Sequence, residues 1–347
     1  MIKSPFPYFG GKSKVADVVW QRFGDVDHYV EPFAGSLAVL LGRPGGHTAN
    51  AETVNDLDNY LCNFWRAVQA EPDAVARWAD WPVNETDLHA RHAWLVTHGR
   101  DRLINLDADP MAYDPQVAGW WLWGICSWIG GGWCSGNGPW RVVDGKLVKA
   151  PSNAGQGINR QLPHLGDAGR GINRQRPHLG NSGRGINRQL PHLGDAGQGI
   201  NRKRQDIYVY MRALAERLRH VRVCCGDWQR IVTAGALSHG ASVGVFLDPP
   251  YSAETGRDMS LYNHESDVSA AVRAWALENG DNPRYRIALC GYEGEHDMPG
   301  WHVYKWTARA AYKSSRGDLT KNRNLERIWF SPGCLHRTPG LWDTDEP

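Results

Sequence analysis

The sequence predicts an α/β protein with a mixed, mostly parallel sheet and helices on both of its faces. Short apolar strands alternate with helical segments near both ends of the chain, and the last strands follow one another as a pair. Acidic and glycine-containing segments come directly after several strands. The carboxyl ends of strands are where open α/β sheets bind ligands, so these segments are the first candidates for a functional site.

Length and composition are those of a globular protein with one large domain or two smaller ones. The 347 residues are 41% hydrophobic and 22% charged. No apolar run reaches the roughly 18 residues of a membrane helix, and the N-terminus lacks the apolar stretch of a signal peptide. The seven cysteines are scattered and form no C-x2-C pair, so we expect no disulfide framework, no zinc site and a cytoplasmic setting.

The first predicted strand covers residues 28–31 and follows a helix over 13–23 with Ser13 as a candidate cap. Its end, Glu31, leads into a turn at residues 32–36 and then a short helix. A strand, a glycine-bearing turn and a helix N-terminus place backbone N–H groups against a ligand. A small ligand lying against Gly35, with Glu31 holding a cationic amine, is one interpretation; a purely structural turn is the alternative.

The second predicted strand, residues 49–56, ends in Asp56. An acid about twenty residues after the first turn is where α/β folds bind ribose hydroxyls, and Asp56 fits that spacing from Gly35. The alternative is an acid that caps the next helix. A helical pattern then continues from Leu57 to about Trp123.

Residues 119–140 interleave tryptophans with glycines. We expect Trp120, Trp121 and Trp123 to pack into the core on a helix. The glycine run at 130–132 leaves Trp133 on a flexible loop, where its ring could wedge into a duplex or stack on an orphaned base. Core packing is the alternative.

An internal repeat of 14 residues starts at Gly157, recurs from Gly171 and Gly185, and begins again at Gly199. Residues 155–204 hold nine Arg or Lys against two Asp, a net charge of +7, although the whole chain has only +2. One interpretation is a flexible insert that does not pair with the core. The other is a DNA-contacting arm, in which recurring arginines suit phosphates and base edges. These arginines are Arg160, Arg174 and Arg188.

The second half begins with an amphipathic helix at 207–218 and a strand at 221–223 that leads to Asp227. The next strand ends at Asp248-Pro249-Pro250-Tyr251. Prolines donate no main-chain N–H, so this segment offers acceptors, the Asp248 carboxylate and two carbonyls, beside the Tyr251 ring. Such an array suits a planar group with an NH2, such as a nucleobase with an exocyclic amine. A strand ending in an Asp-Pro turn is the alternative.

The chain closes with a helix at 267–279 and strands at 285–290, 301–305 and 325–330. A basic run lies between the last two strands. It is either a solvated face or a clamp for phosphates. Its candidate DNA-binding residues are Lys313, Arg316 and Lys321.

Five short motifs in this order resemble the Dam-like (D12 class) DNA adenine-N6 methyltransferases of the α group, and the phage- and prophage-encoded members most of all. The motifs are Tyr8-Phe9-Gly10-Gly11-Lys12, Val30-Glu31-Pro32-Phe33-Ala34-Gly35-Ser36, Asn55-Asp56-Leu57-Asp58, Asp227-Trp228 and Asp248-Pro249-Pro250-Tyr251. The resemblance covers about residues 5–64 and 206–332. It implies a Rossmann-like S-adenosylmethionine-dependent catalytic domain at 1–64 and 206–347, with a target-recognition region inserted at 65–205.

The resemblance also implies the cofactor-binding residues. Tyr8 and Lys12 would border S-adenosylmethionine. Glu31, Phe33 and Gly35 would hold its methionine and sulfonium part. Asp56 would hold its ribose, and Asp227 would hold its adenine edge. One departure stands out: Leu37 occupies the position where the family's turn usually has a second glycine.

The catalytic residues implied are Asp248, Pro249, Pro250 and Tyr251, acting on an adenine extruded from double-stranded DNA. Asp at the first position favours adenine N6 over cytosine N4, for which similar enzymes usually have Ser. An RNA or protein-amide methyltransferase, and a DNA-binding protein that kept the fold without turnover, remain open. We expect a monomer or weak dimer that needs neither metal nor membrane.

Overall fold

A computed structural model describes residues 2–8, 10–45, 51–109, 111–128, 133–134, 140–143, 146–149, 200–250, 268–307 and 326–335. The helices are α1 (Ala16–Phe23), α2 (Ala38–Leu41), α3 (Asn59–Ala70), α4 (Pro72–Ala79), α5 (Glu85–Trp94), α6 (Arg100–Arg102), α7 (Pro115–Ser127), α8 (Ile200–Leu218) and α9 (Ser269–Asn279). The strands are β1 (His28–Glu31), β2 (Ala51–Asp56), β3 (Trp140–Val143), β4 (Lys146–Lys149), β5 (Val221–Cys225), β6 (Val243–Leu247), β7 (Tyr285–Tyr292), β8 (His302–Lys305) and β9 (Glu326–Phe330).

The central sheet has the strand order β5-β2-β1-β6-β7-β9-β8. Its first five strands are parallel, and β9 runs antiparallel to both β7 and β8. This architecture confirms the predicted mixed, mostly parallel sheet. The chain moves outward from β1 in one direction and from β6 in the other, so the order reverses between these two neighbours. The carboxyl ends of strands at such a switch point form the crevice where open α/β sheets bind ligands.

Both faces of the sheet are covered, as the alternation along β6 shows. Val243, Val245 and Leu247 belong to a core that includes Val272 of α9. Phe246 points to the other face and belongs to a larger core that contains the buried residues of α1 to α5, α7 and α8. Burial on both faces is why the parallel strands read as continuous apolar runs instead of alternating ones.

A buried ion triad fastens α8 to the N-terminal half of the sheet. The fully buried Glu52 of β2 accepts hydrogen bonds from Arg217 of α8 at 2.7 and 3.0 Å and pairs with Arg43 at 3.3 Å. Arg217 also donates to the Leu40 carbonyl at 2.9 Å. The segment after the repeats is therefore joined to the segment before them. The proposed division into a catalytic domain and a recognition region stays a prediction.

Helices α3, α4, α7 and α8 pack against one another beside the sheet. Trp121 and Trp123 of α7 are buried and Trp120 is partly buried, which confirms their predicted place in the core. Of the two interpretations of Trp133, the structure agrees with core packing. Its side chain is 5% exposed and fills the space that Gly124 leaves on α7, where an added Cβ would lie 1.8 Å from the Trp133 ring.

Two local predictions need correction. Helix α1 starts after Val15, which makes no side-chain cap, so Ser13 does not cap it. The hairpin of β3 and β4 was not predicted, although an Asp-Gly pair between apolar residues is a strong hairpin signal and occupies residues 144–145. Within the described ranges, none of the helices combines the length and apolar character needed to cross a bilayer.

Candidate functional site

The turn after β1 is built around Gly35. Its N–H donates to Asp56 Oδ2 at 3.0 Å, and its carbonyl accepts from Trp65 Nε1 at 3.2 Å. The Gly35 φ is +46°, a region that favours glycine. The Tyr8 ring lies over this glycine, because a Cβ added to Gly35 would be 2.8 Å from Tyr8 Cε1. The structure thus brings the predicted Tyr8 and Gly35 into contact.

Leu37 starts α2 in the left-handed conformation, with φ 53° and ψ 28°, and is fully buried. For a residue with a Cβ this conformation costs about 1–2 kcal/mol. The position is the one where the resemblance expects a second glycine. The backbone therefore keeps a conformation suited to glycine while the side chain packs into the core.

Asp56 organises the backbone at the end of β2. Besides the bond from Gly35, its Oδ1 accepts a hydrogen bond from the Asp58 N–H at 3.0 Å. The cap of α3 is Asp58 itself, which accepts from the Tyr60 N–H at 2.9 Å. The idea that Asp56 caps the helix is therefore wrong, and its predicted contact with ribose stays a prediction.

The ends of β1, β2 and β5 are tied together by Asn55, which was not predicted as a site residue. Its Nδ2 donates to the carbonyls of Pro32 at 3.2 Å and Gly226 at 2.9 Å. Gly226 returns a hydrogen bond from its N–H to the Asp56 carbonyl at 2.9 Å. The Asn-Asp pair at 55–56 was visible in the sequence, but the partners of an amide depend on strand order.

Asp227 is exposed just after β5 and caps the short 3-10 helix Trp228–Ile231 through a 2.8 Å bond from the Gln229 N–H. Its neighbour Trp228 packs against Phe33, with ring centroids 6.0 Å apart. The predicted residues Phe33 and Asp227 therefore border the same part of the sheet edge.

Glu31 lies almost fully buried at the end of β1 and accepts a hydrogen bond from the Tyr29 hydroxyl at 3.0 Å. Burial raises the pKa of Glu31 well above its usual value, and the nearby charge of Asp248 adds to the effect. A cation placed beside Glu31 would counter both causes. The chemistry of this carboxyl group therefore suits a cationic ligand.

Asp248 follows β6, the strand that pairs with β1. Its Oδ1 lies 2.8 Å from Lys12 Nζ, and the two side chains are 21% and 4% exposed. Burial acts to lower the pKa of Lys12, but the charges of Asp248 and Glu326 outweigh it and leave that pKa above its usual value. The ammonium group predicted to border the cofactor thus pairs with the predicted catalytic carboxylate.

Several predicted residues lie outside the described part of the chain and stay predictions. They are Tyr251, Arg160, Arg174, Arg188, Lys313, Arg316 and Lys321. Among the described residues, no group of three or more His, Cys, Asp or Glu side chains is placed to hold a metal ion.

The fold is that of an α/β protein, and the predicted site residues described above lie at the carboxyl edge of its sheet, beside the switch point between β1 and β6. The family model described as D12 class N6 adenine-specific DNA methyltransferase matches residues 8–91. The match supports the resemblance over this range, which holds the first three of its five motifs, and the model's description agrees with the predicted class of enzyme. The matched range contains Tyr8, Lys12, Glu31, Gly35 and Asp56. A search of curated proteins found no match to the chain.

Proposed function

We propose that this protein is a site-specific DNA methyltransferase that moves a methyl group from S-adenosylmethionine to N6 of an adenine in double-stranded DNA. The family match supports the class of reaction. The observation that supports the site is the position of Asp248 directly after β6, beside β1 and its Gly35 turn. A methyl donor on the turn and a base on Asp248 would then share one crevice of a Rossmann-like sheet.

The residues of the turn suit S-adenosylmethionine. Gly35 has no Cβ, so the Tyr8 ring can lie close over its backbone from one side. Glu31, whose pKa is raised by burial, would hold a cationic part of the cofactor. Phe33 would hold the methionine and sulfonium part together with Glu31 and Gly35, and Asp227 would take the adenine edge; the contact between Phe33 and Trp228, the residue after Asp227, supports one continuous cofactor site.

Bound S-adenosylmethionine supplies a methyl group on a positively charged sulfur, which is a strong electrophile. Asp248 and the Pro249 carbonyl would accept hydrogen bonds from the two N–H groups of the adenine amine, because the prolines leave only acceptors there. Holding the amine in this way turns its lone pair out of the ring plane, and positioning then supplies most of the rate enhancement. The methylated amine would then give up one of these protons, which Asp248 would pass to solvent. The base has to leave the duplex first, at a cost of a few kcal/mol, and Tyr251 would stack on it.

The test is transfer of a labelled methyl group to duplex DNA, followed by mass spectrometry of the nucleosides. N6-methyladenine is the expected product; labelled N4-methylcytosine, or labelling of RNA instead of DNA, would replace the proposal by one of the open alternatives. DNA that is bound but gains no label would indicate a DNA-binding protein without turnover.

Asp248→Ala tests the site. It should lower the methyl-transfer rate about 10³-fold or more while cofactor affinity is kept, because the lost interaction is made with the reacting base. Asp73→Ala is the matched control, since Asp73 is an exposed partner of Arg212 on the outside of α8. Substantial turnover by the Asp248 variant would refute the assignment.

A further inference from the structure

Lys12 is bound on several sides although the sequence places it in a glycine-rich loop. Its Nζ lies 2.8 Å from Asp248 Oδ1 and donates to the Gly10 carbonyl at 2.9 Å. The Trp306 ring centroid is 6.0 Å from the same nitrogen. The next lysine, Lys14, donates to the Thr307 carbonyl at 3.0 Å. The N-terminal segment is thereby anchored between Asp248 and the end of β8.

Exposure separates the roles of the two members of the pair. Lys12 keeps 4% of its side chain exposed, whereas Asp248 keeps 21%. A base that enters the crevice can therefore reach the carboxylate more readily than the ammonium. The nearby charge of Glu326 also favours the ammonium form of Lys12.

A carboxylate can accept from an ammonium on one oxygen and from an amine on the other. The Asp248 side chain has two rotatable bonds and would sample several orientations without a partner. A fixed ammonium on Oδ1 removes that freedom. The acceptor geometry that a reacting amine needs is then present before the base arrives.

We propose that Lys12 is a positioning residue for the methyl transfer, holding Asp248 by one carboxylate oxygen so that the other is oriented toward the target amine. This inference rests on the proposed function. It differs from the role that the family resemblance implies, in which Lys12 borders the cofactor. The two roles separate experimentally, because one acts on the chemical step and the other on cofactor affinity.

The test compares Lys12→Met and Lys12→Gln with Lys14→Met. Methionine keeps an unbranched side chain without charge, and glutamine keeps N–H donors for the Gly10 carbonyl. Lys14 anchors the same segment through its hydrogen bond to the Thr307 carbonyl and not through Asp248. Its variant is therefore the matched control. Each protein is checked by circular dichroism, by calorimetric titration with S-adenosylhomocysteine and by single-turnover methyl transfer at saturating DNA and cofactor.

Both Lys12 variants should transfer the methyl group about 10²-fold more slowly, the loss that a misplaced reacting group typically causes. Their affinity for S-adenosylhomocysteine should stay within about threefold of the wild type, since only the step that uses Asp248 is impaired. Lys14→Met should keep the wild-type rate. If Lys12→Met does not fold, Lys12→Gln decides.

Three outcomes would contradict these proposals, and each contradicts a different one or favours a different role for Lys12. A Lys12 variant as fast as Lys14→Met overturns the positioning role. A loss of cofactor affinity that accounts for the slower rate overturns it in favour of a cofactor contact. A wild-type protein that labels no DNA removes the proposed function itself, and this result is obtained before any variant is compared.

Discussion

Two of the glycines that lie next to an aromatic ring, Gly35 and Gly124, belong to very different parts of this molecule. At the carboxyl edge of the sheet, Gly35 lies under Tyr8 in a turn that ends a strand. In α7, Gly124 lies under Trp133 in the interior of a helix. Around Gly35, Asp56 accepts hydrogen bonds from backbone N–H groups, and the Tyr8 ring is half-buried. Around Gly124 the ring closes a core. The two glycines therefore make room for a ring in different elements, a turn at the sheet edge, where we propose a ligand, and the interior of a helix.

The tryptophan cluster, which we define as Trp81, Trp94, Trp120, Trp123, Trp128 and Trp133, has its own internal partners. Arg91 lies 4.4 Å from the Trp123 ring centroid and 5.1 Å from those of Trp81 and Trp120. Burial lowers the pKa of Arg91 to about 10. The ring centroids of His92 and Trp133 lie 4.6 Å apart. Arg91 and His92 therefore engage these rings within the protein, although Trp81 stays 47% exposed.

Trp133→Ala tests the comparison with the largest expected effect. Removing a buried tryptophan should lower the free energy of unfolding by about 3–5 kcal/mol, because the cavity beside Gly124 cannot fully collapse. Denaturant unfolding measures the loss, and Trp133→Phe, which keeps an aromatic ring there, should lose less.

An exposed DNA wedge would behave in the opposite way. Trp133→Ala would then leave the unfolding midpoint unchanged and weaken DNA binding, measured on the folded protein. That pattern would show that the ring does not pack into the core of the free protein, and the two glycine sites would no longer contrast.

The sequence was sufficient to predict the strands and the residues at their carboxyl ends. It was not sufficient to predict which side chains those residues contact. Apolar runs with acids behind them predicted β1, β2, β5 and β6, because burial on both faces leaves a local signal. The pair of Lys12 and Asp248 has no such signal, since it depends on which strands become neighbours. The place of Trp133 was left open for the same reason. A glycine run predicts a flexible loop locally, whereas the space that receives the ring is made by Gly124 in another element.

Glu31→Gln is expected to have an intermediate effect at the carboxyl edge. An ionised partner contributes about 1.5–3 kcal/mol to a hydrogen bond, so the variant should bind S-adenosylmethionine more weakly by that amount. Because burial raises the pKa of Glu31 in the folded protein, its stabilising contribution is present at low pH and is lost as pH rises through the raised value. The ligand-free wild type should therefore lose stability over that window relative to the variant.

Proton release on cofactor binding is measured by titration calorimetry without DNA, in two buffers of different ionisation enthalpy. Wild-type protein should release a proton when S-adenosylmethionine binds, because a cation beside Glu31 favours its ionised form, and Glu31→Gln should not. Glu216→Gln, at an exposed position of α8, serves as the control. Equal proton release by wild type and Glu31→Gln would place the cofactor away from Glu31.

Substitution of Leu37 is expected to have the smallest effect of these variants. It directly tests the backbone conformation at the carboxyl edge of the sheet. Leu37→Gly and Leu37→Ala both remove the buried side chain, but only glycine relieves the left-handed conformation at φ 53°. In a helix interior alanine is about 1 kcal/mol more stable than glycine. Here the order should reverse, with Leu37→Gly more stable than Leu37→Ala by about 1 kcal/mol, because a Cβ is costly in this conformation. Paired denaturant curves measure the difference. An alanine variant as stable as the glycine variant would mean that the start of α2 relaxes to ordinary helical angles, and that this turn does not require a glycine-like backbone.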